Sequence, residues 1–556
     1  MNLDLKINRE KENGNIEYKL KLINTDIEKI QRLTSQMKYR MDEGSGEAIY
    51  VIGVTDEGGV IGVTEEEFTE SFNNLSLAAK DINFNINILS SRIVDKDKNK
   101  KVYELLVREK NEHKYIDIKV AVAGNVDSGK SSLLGVLISG KNDDGRGSAR
   151  LSVFNFKHEI SSGRTSSIAH HILGFDINGK PVNYGTQYDI HKKDWPEIVK
   201  ESSKVISFFD LCGHEKYLKT TILGLTSSSP DVCFILIGAN MGITRMTQEH
   251  IFLCITLNIP FIIIVTKIDI CENRQNVLKD TINSINKLLK MPGLRRVPYK
   301  INNNDDVILC SKNIKSESIV PIFHISSVTG EGIDYLKMFL NLVGKSSKNI
   351  NTSNEVEFHI DTIFTVPGVG TVVGGQHVSG HIKIGDKLLL GPNNGEYIQT
   401  QVRSIHCKRV PLEKVEYGSY VCLGLKKVAR SNVRKGNVLI SIHSNPICVK
   451  DFEAEITVLK AHSTTIRPGY QPIIHANTMR QTATLVSIIN KINLNDKNDK
   501  NDKNEGDEII NKIDNVLRTG DKATVKFSFC YRHEFIKAGT KLLMAEGKVK
   551  VVGVVK

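Results

Sequence analysis

The chain has 556 residues, 40% of them hydrophobic, and a formal net charge of +12. That composition is ordinary for soluble protein, and no stretch approaches the roughly 20 apolar residues of a membrane span. Nine scattered cysteines with no CxxC pair argue against a disulfide framework or a zinc site; with no apolar leader at the N-terminus, a reducing cytoplasm is expected.

Length predicts about three or four domains. Residues 1–115 read as a small α+β domain without a chemical motif. Helices are expected from Asp26 and from Glu65, the second capped by Thr64. Between them, Ala48–Thr55 and Val60–Val63 flank Asp56-Glu-Gly-Gly, a hairpin signal. Strands follow at Phe84–Leu89 and Val102–Val107. Residues 116–347 alternate strands and helices in the doubly wound pattern, with strands at 118–123, 205–210, 232–237, 261–266 and near 322–325. Ligands are expected beyond the strands' carboxyl ends. From about 354 short alternating strands punctuated by glycine predict two β-barrels, 350–445 and 446–556. The polar repeat at 495–504 marks an insertion near 493–510 in the second barrel, expected to be disordered.

Gly124-Asn125-Val-Asp127-Ser128-Gly129-Lys130-Ser131 is a GxxxxGKS loop between the first of those strands and the helix opening at Ser132. Such a loop turns successive N–H groups towards phosphate oxygens, Lys130 reaches the outer phosphates, and the Ser131 hydroxyl suits Mg²⁺. Asp210 ends a strand and is placed to hold Mg²⁺ through water, while the Gly213 N–H meets a γ-phosphate. Thr165, lying between the loop and Asp210, offers a hydroxyl to complete the metal shell when a γ-phosphate is present. Thr266-Lys267-Ile-Asp269 follows the most apolar strand. A carboxylate at Asp269 accepts both N1–H and N2–H₂ of guanine, whereas adenine would leave it unpaired. Lys267 stacks its methylenes on the base, and Ser326, Ser327 and Val328 supply backbone N–H groups to guanine O6. The nucleotide is therefore GTP.

These strings, with Gly145-Arg-Gly-Ser-Ala-Arg, Glu159-Ile-Ser-Ser-Gly-Arg-Thr-Ser-Ser-Ile, Phe209-Asp-Leu-Cys-Gly-His-Glu-Lys-Tyr and Val366-Pro-Gly-Val-Gly-Thr-Val-Val, resemble the translational GTPases of the elongation factor Tu and elongation factor 1-alpha class. Within that class the chain is most similar to the GTP-binding protein 1 and 2 subfamily. The resemblance implies a GTPase domain followed by two β-barrels, a partnership with the ribosome and aminoacyl-tRNA, and a task in tRNA delivery or in rescue of stalled ribosomes. RNA-decay and ribosome-rescue factors are further candidate partners, and a monomer is expected. It also implies that His214 orients the attacking water and that Asp127 helps to hold a monovalent cation. Thr266 stands where the family has Asn; its hydroxyl can still tie this loop to the phosphate loop. Arg164 stands where the elongation factors place an apolar residue, beside the switch threonine.

Two other readings share parts of this pattern: a GTPase subunit of the sulfate-activating type, and a GTP-switched RNA-decay adaptor with little turnover. Residues 401–450 hold ten Lys/Arg against two acidic residues. Lys408, Arg409, Lys426 and Lys427 in this window are candidate RNA contacts.

Overall fold

A computed structural model of the chain describes residues 9–109, 115–154, 159, 168–184, 193–291, 294–345, 354–459, 465–492, 516–545 and 549–556. The polar repeat at 495–504 lies outside them.

The N-terminal sheet has the order β1 (Ile16–Lys19), β2 (Glu47–Ile52), β4 (Lys100–Glu109), β3 (Phe84–Asp95). Helices α1 (Ile27–Glu43) and α2 (Glu65–Asp81) pack on it. Asp26 caps α1 by accepting from the Lys29 N–H, and Thr64 and Glu67 form a full capping box on α2. The chain leaves α1 through Gly44, where a Cβ would sit 1.8 Å from the Glu47 carbonyl oxygen. The expected hairpin after β2 does not form. Val54 and Val60 share one isolated bridge, and Val63 instead pairs with Lys101. Gly53, Gly58 and Gly62 all adopt positive φ there, which curls the segment too tightly for a second strand.

Alternation along β2 explains why no residue of it is exposed. Ala48, Tyr50 and Ile52 face α1 and α2, whereas Ile49 and Val51 join the core of the following domain. The seam is ionic as well as apolar. Glu47 pairs with Arg108 at 3.1 Å and with Lys204 at 2.9 Å, and the Lys204 ammonium also donates to the carbonyls of Asn341 (2.8 Å) and Val343 (2.6 Å). Burial pushes the Lys204 ammonium down to about 8, outweighing the opposite pull of Glu47. The N-terminal domain is thus fixed to its neighbour through a core and a buried charge cluster.

That neighbour is a seven-stranded sheet in the order β10 (Val297–Lys300), β11 (Ile319–His324), β9 (Phe261–Thr266), β8 (Val232–Gly238), β5 (Ile116–Gly124), β7 (Lys204–Asp210), β6 (Ala169–Phe175). All neighbours run parallel except β6 and β7. Among the described residues its helices longer than one turn are α3 (Lys130–Ser139), α4 (Trp195–Glu201), α5 (Leu218–Ser228), α6 (Arg245–Thr256), α7 (Gln275–Leu289), α8 (Asn304–Asn313) and α9 (Ile333–Leu342). β5 lies between β7 and β8, so the strand order reverses there, and the crevice beyond its carboxyl end is where ligands bind in such sheets.

Two closed six-stranded barrels follow. In the first, the strand Lys387–Asn393 pairs with both Val438–Ser441 and Glu396–Cys407 and so closes the ring. In the second, Asp451–Val458 closes on Val549–Val555. Helix α5 packs on both barrels, against Gly370–Ser379 of the first and Ile473–Ala476 of the second.

Candidate active site

The GxxxxGKS segment forms the turn from β5 into α3. Gly124 (φ 153°), Asp127 (φ 60°) and Gly129 (φ 83°) take the positive φ values that curl the loop. A Cβ on Gly124 would meet the Leu236 carbonyl of β8 at 2.6 Å, which explains glycine at the strand end. The Lys130 side chain folds back over the loop and donates to the carbonyls of Gly124 (3.1 Å) and Asn125 (2.8 Å). Burial lowers its pKa, with Asp210 and Asp127 among the groups pulling the other way. The ammonium is therefore aimed into the loop, where a polyphosphate offers it the negative charge that these carboxylates supply only in part.

Ser131 Oγ donates to Asp210 Oδ2 at 2.9 Å, so a hydroxyl at the start of α3 and a carboxylate at the end of β7 converge. Two hard oxygens beside a phosphate loop fit Mg²⁺, which is held by few protein ligands and completed by phosphate and water. Gly213 approaches so closely that a Cβ would lie 2.5 Å from Lys130 Nζ and 2.6 Å from the Gly124 carbonyl. Only glycine brings that N–H to the phosphate loop.

His214 is exposed at the rim. Its Nδ1 accepts the Lys216 N–H at 3.1 Å and caps the short turn Glu215–Tyr217. With Nδ1 engaged as an acceptor, the neutral ring carries its proton on Nε2. In that tautomer Nε2 is a donor, suited to orienting water and stabilising charge.

The base end is built from β9 and the loop after β11. Thr266 Oγ1 donates to the Ser128 carbonyl at 2.8 Å, so the residue replacing Asn ties the base loop to the phosphate loop. Lys267 is left-handed (φ 60°) and lines the cleft. Ser326 is buried; its Oγ donates to Asp269 Oδ1 at 2.6 Å and accepts the N–H groups of Val328 (3.2 Å) and Thr329 (3.1 Å). The hydroxyl thus fixes the carboxylate and also occupies the Val328 N–H. The Val328 N–H expected to serve guanine O6 is turned to Ser326 here, and Ser327 spends its carbonyl on the Asp143 N–H at 2.8 Å.

The cleft joining these parts is lined by Val126, Asp127, Gly129, Lys130, Ser131, Ser132, Gly213, His214 and Lys267, and by Arg150 and Tyr217. Sequence reasoning gave Arg150 and Tyr217 no role. Thr165 and Arg164 lie outside the described residues.

The basic window divides once burial is known. Lys408 is not a surface lysine. The tip of the hairpin formed by Glu396–Cys407 and Val410–Leu412 docks on the nucleotide domain, where the Lys408 side chain, 6% exposed, pairs with Asp117 at 2.7 Å. Its ammonium lies 5.1 Å from the Tyr115 ring centroid. Burial opposes the charge, yet Asp117 holds the ammonium's pKa above its ordinary value. Lys408 is therefore withdrawn as an RNA contact, because its charge is spent inside the molecule. Arg409 stays exposed but stacks on Trp195 at 4.8 Å, and Arg434 pairs with Glu534 of the second barrel at 2.6 Å. Lys426 and Lys427 are exposed at a strand end.

A phosphate loop, a carboxylate at the position expected to read guanine and two trailing barrels define a P-loop GTPase with a barrel module. The elongation factor Tu GTP-binding domain family matches residues 117–357, and the elongation factor Tu domain 2 family matches 370–440. GTP-binding protein 1 of Xenopus laevis is 42% identical over 97% of this chain and 78% of its own length. GTP-binding protein 2 of Homo sapiens is 42% identical over 98% of this chain and 87% of its own. The chain belongs to the translational GTPases, in the family of GTP-binding proteins 1 and 2, and is a GTP hydrolase. The fold is also that of translation elongation factor SelB from Methanococcus maripaludis in complex with the GTP analogue GppNHp, at a TM-score of 0.53 and 20% identity over 80% of this chain and 79% of that one.

Proposed function

We propose that this GTPase hydrolyses GTP on the ribosome and couples the reaction to handling of aminoacyl-tRNA. The observation that carries the reading is the position of α5. The helix begins four residues after His214 and touches both barrels. In the first barrel the Tyr420 hydroxyl, on the strand paired with Gly370–Ser379, donates to the Asp361 carboxylate at 2.5 Å. A displacement of Gly213 by a γ-phosphate is therefore transmitted to the barrels through a packed helix and not through a loose linker. Such a coupling serves a macromolecular cargo better than a small substrate.

In the reaction, the loop N–H groups and Lys130 hold the β- and γ-phosphates, and the Gly213 N–H reads the γ-phosphate. Ser131, Asp210 and Thr165 would hold Mg²⁺, which when bound supplies charge neutralisation at the phosphate oxygens. His214 Nε2–H orients the attacking water, and Asp269 selects guanine. Asp127 would assist a monovalent cation. Lys426 and Lys427 face RNA, Arg409 at the opposite end of the strand pair is a separate candidate contact, and ribosome-rescue or RNA-decay factors are candidate further partners. The direct test is GTP-dependent protection of aminoacyl-tRNA from deacylation by the purified protein; equal deacylation with GTP and with GDP would remove tRNA from the account.

A further inference from the structure

We propose that Arg150 is a nucleotide-binding residue that pairs with the α- and β-phosphates, the part shared by GTP and GDP. The inference rests on reading the cleft as the GTP site. Arg150 lines that cleft together with Lys130, Ser131, Ser132 and Lys267. It is half-buried, and among the described residues its guanidinium has no hydrogen bond and no carboxylate partner. Other deeply placed cations at domain seams have partners: Lys204 has Glu47, Lys408 has Asp117, Arg434 has Glu534, and Lys119 donates to the Gln376 side-chain oxygen at 2.7 Å. An unpaired guanidinium taken partly out of water is unfavourable unless a ligand completes it, and its planar fork matches two phosphate oxygens.

The backbone delivers Arg150 to this place. The segment after α3 leaves through Gly140 and runs to the base loop, where the Asp143 N–H donates to the Ser327 carbonyl at 2.8 Å. It then turns back, with Asp143 Oδ1 accepting the Ala149 N–H at 2.8 Å and Asp144 Oδ1 accepting those of Arg146 (2.8 Å) and Ser148 (3.1 Å). The Ala149 carbonyl presses on α3 at Gly135, where a Cβ would lie 2.1 Å from its oxygen. Gly135 stands one turn along from Ser131 and Ser132, on the same helix face. Arg150 is thereby set against the start of α3 on the side tied to the base loop. That is the side on which backbone groups of a phosphate loop cradle the α- and β-phosphates; Gly213 and His214 take the γ end.

The test is equilibrium binding of GDP and of a non-hydrolysable GTP analogue to the full chain. Arg150→Ala should weaken both by a similar factor, on the order of 10- to 100-fold, as expected for loss of one or two charge-assisted bonds. Arg150→Lys should recover part of the loss, and Arg146→Ala, on the same segment, should change neither affinity. Where the alanine variant fails to fold, Arg150→Gln, which keeps the length without the charge, gives the same comparison. Unchanged GDP affinity would overturn the proposal, as would a loss confined to the GTP analogue, which would place Arg150 at the γ-phosphate. A wild-type chain that binds no guanine nucleotide would instead overturn the reading of the cleft itself.

Discussion

Replacing Asp269 by Asn tests the base site with a change of one atom. In the structure one carboxylate oxygen already accepts the Ser326 hydroxyl at 2.6 Å, and an ionised carboxylate has about four acceptor sites, so capacity remains for both guanine donors. An amide has one acceptor atom and presents N–H groups at the other. Facing guanine, the substituted side chain would lose one or both charge-assisted bonds, about 1.5–3 kcal/mol each. It would also oppose donor to donor, or release the Ser326 hydroxyl that fixes the side chain. A loss of about 3–6 kcal/mol corresponds to roughly 10²- to 10⁴-fold in affinity. Xanthine carries a carbonyl where guanine carries the exocyclic amine, so the amide N–H gains a partner there. Competition binding with GTP, xanthosine triphosphate and ATP should show Asp269→Asn losing GTP while gaining the xanthine nucleotide, with ATP weak throughout. A GTP loss below about tenfold with no gain for xanthine would refute the assignment of Asp269 to the base.

His214→Ala should leave GTP affinity intact and slow hydrolysis by about 100-fold, measured as phosphate release at saturating GTP; an unchanged rate would remove the ring from the reaction. Lys408→Ala leaves Asp117 buried without its cation, a loss of about 3–5 kcal/mol, and should lower the thermal midpoint and open the barrel seam to limited proteolysis. The double variant Lys426→Ala/Lys427→Ala should keep the wild-type midpoint but flatten the salt dependence of RNA binding by about two units of log–log slope. Lys204 makes stability depend on pH. The folded chain releases its proton near 8 and the unfolded chain near the ordinary 10.5, so the burial penalty is complete below about pH 8 and fades as pH rises towards 10.5. Thermal unfolding of wild type and Lys204→Met across about pH 7–10 should show the wild type gaining on the variant as pH rises; parallel curves would mean that Lys204 keeps its ordinary affinity for protons.

What the sequence made legible was whatever is encoded locally. The Thr64–Glu67 capping box, the GxxxxGKS turn and the apolar run of β9 each carry their signal within a few neighbouring residues. The four-residue β1 and the antiparallel β6 escaped, because both are edge strands defined by distant partners, β2 and β7. Lys408 read as surface because charge is visible in a sequence and burial is not; Asp117, its partner, is 291 residues away. Arg150 stood in a string noted only for its resemblance. Its return to the cleft depends on Gly135 yielding to the Ala149 carbonyl, a tertiary contact without a local pattern. The role of residues 1–115 was likewise hidden, since the second buried face of β2 shows only when its partner sheet is present.

The most direct measurement is the rate of GTP hydrolysis by the purified chain with and without ribosomes, at fixed GTP and protein. If α5 links the γ-phosphate sensor to barrels that engage RNA, ribosomes should accelerate hydrolysis well beyond the intrinsic rate, and His214→Ala should abolish the acceleration. Equal rates in the presence and absence of ribosomes would contradict the account.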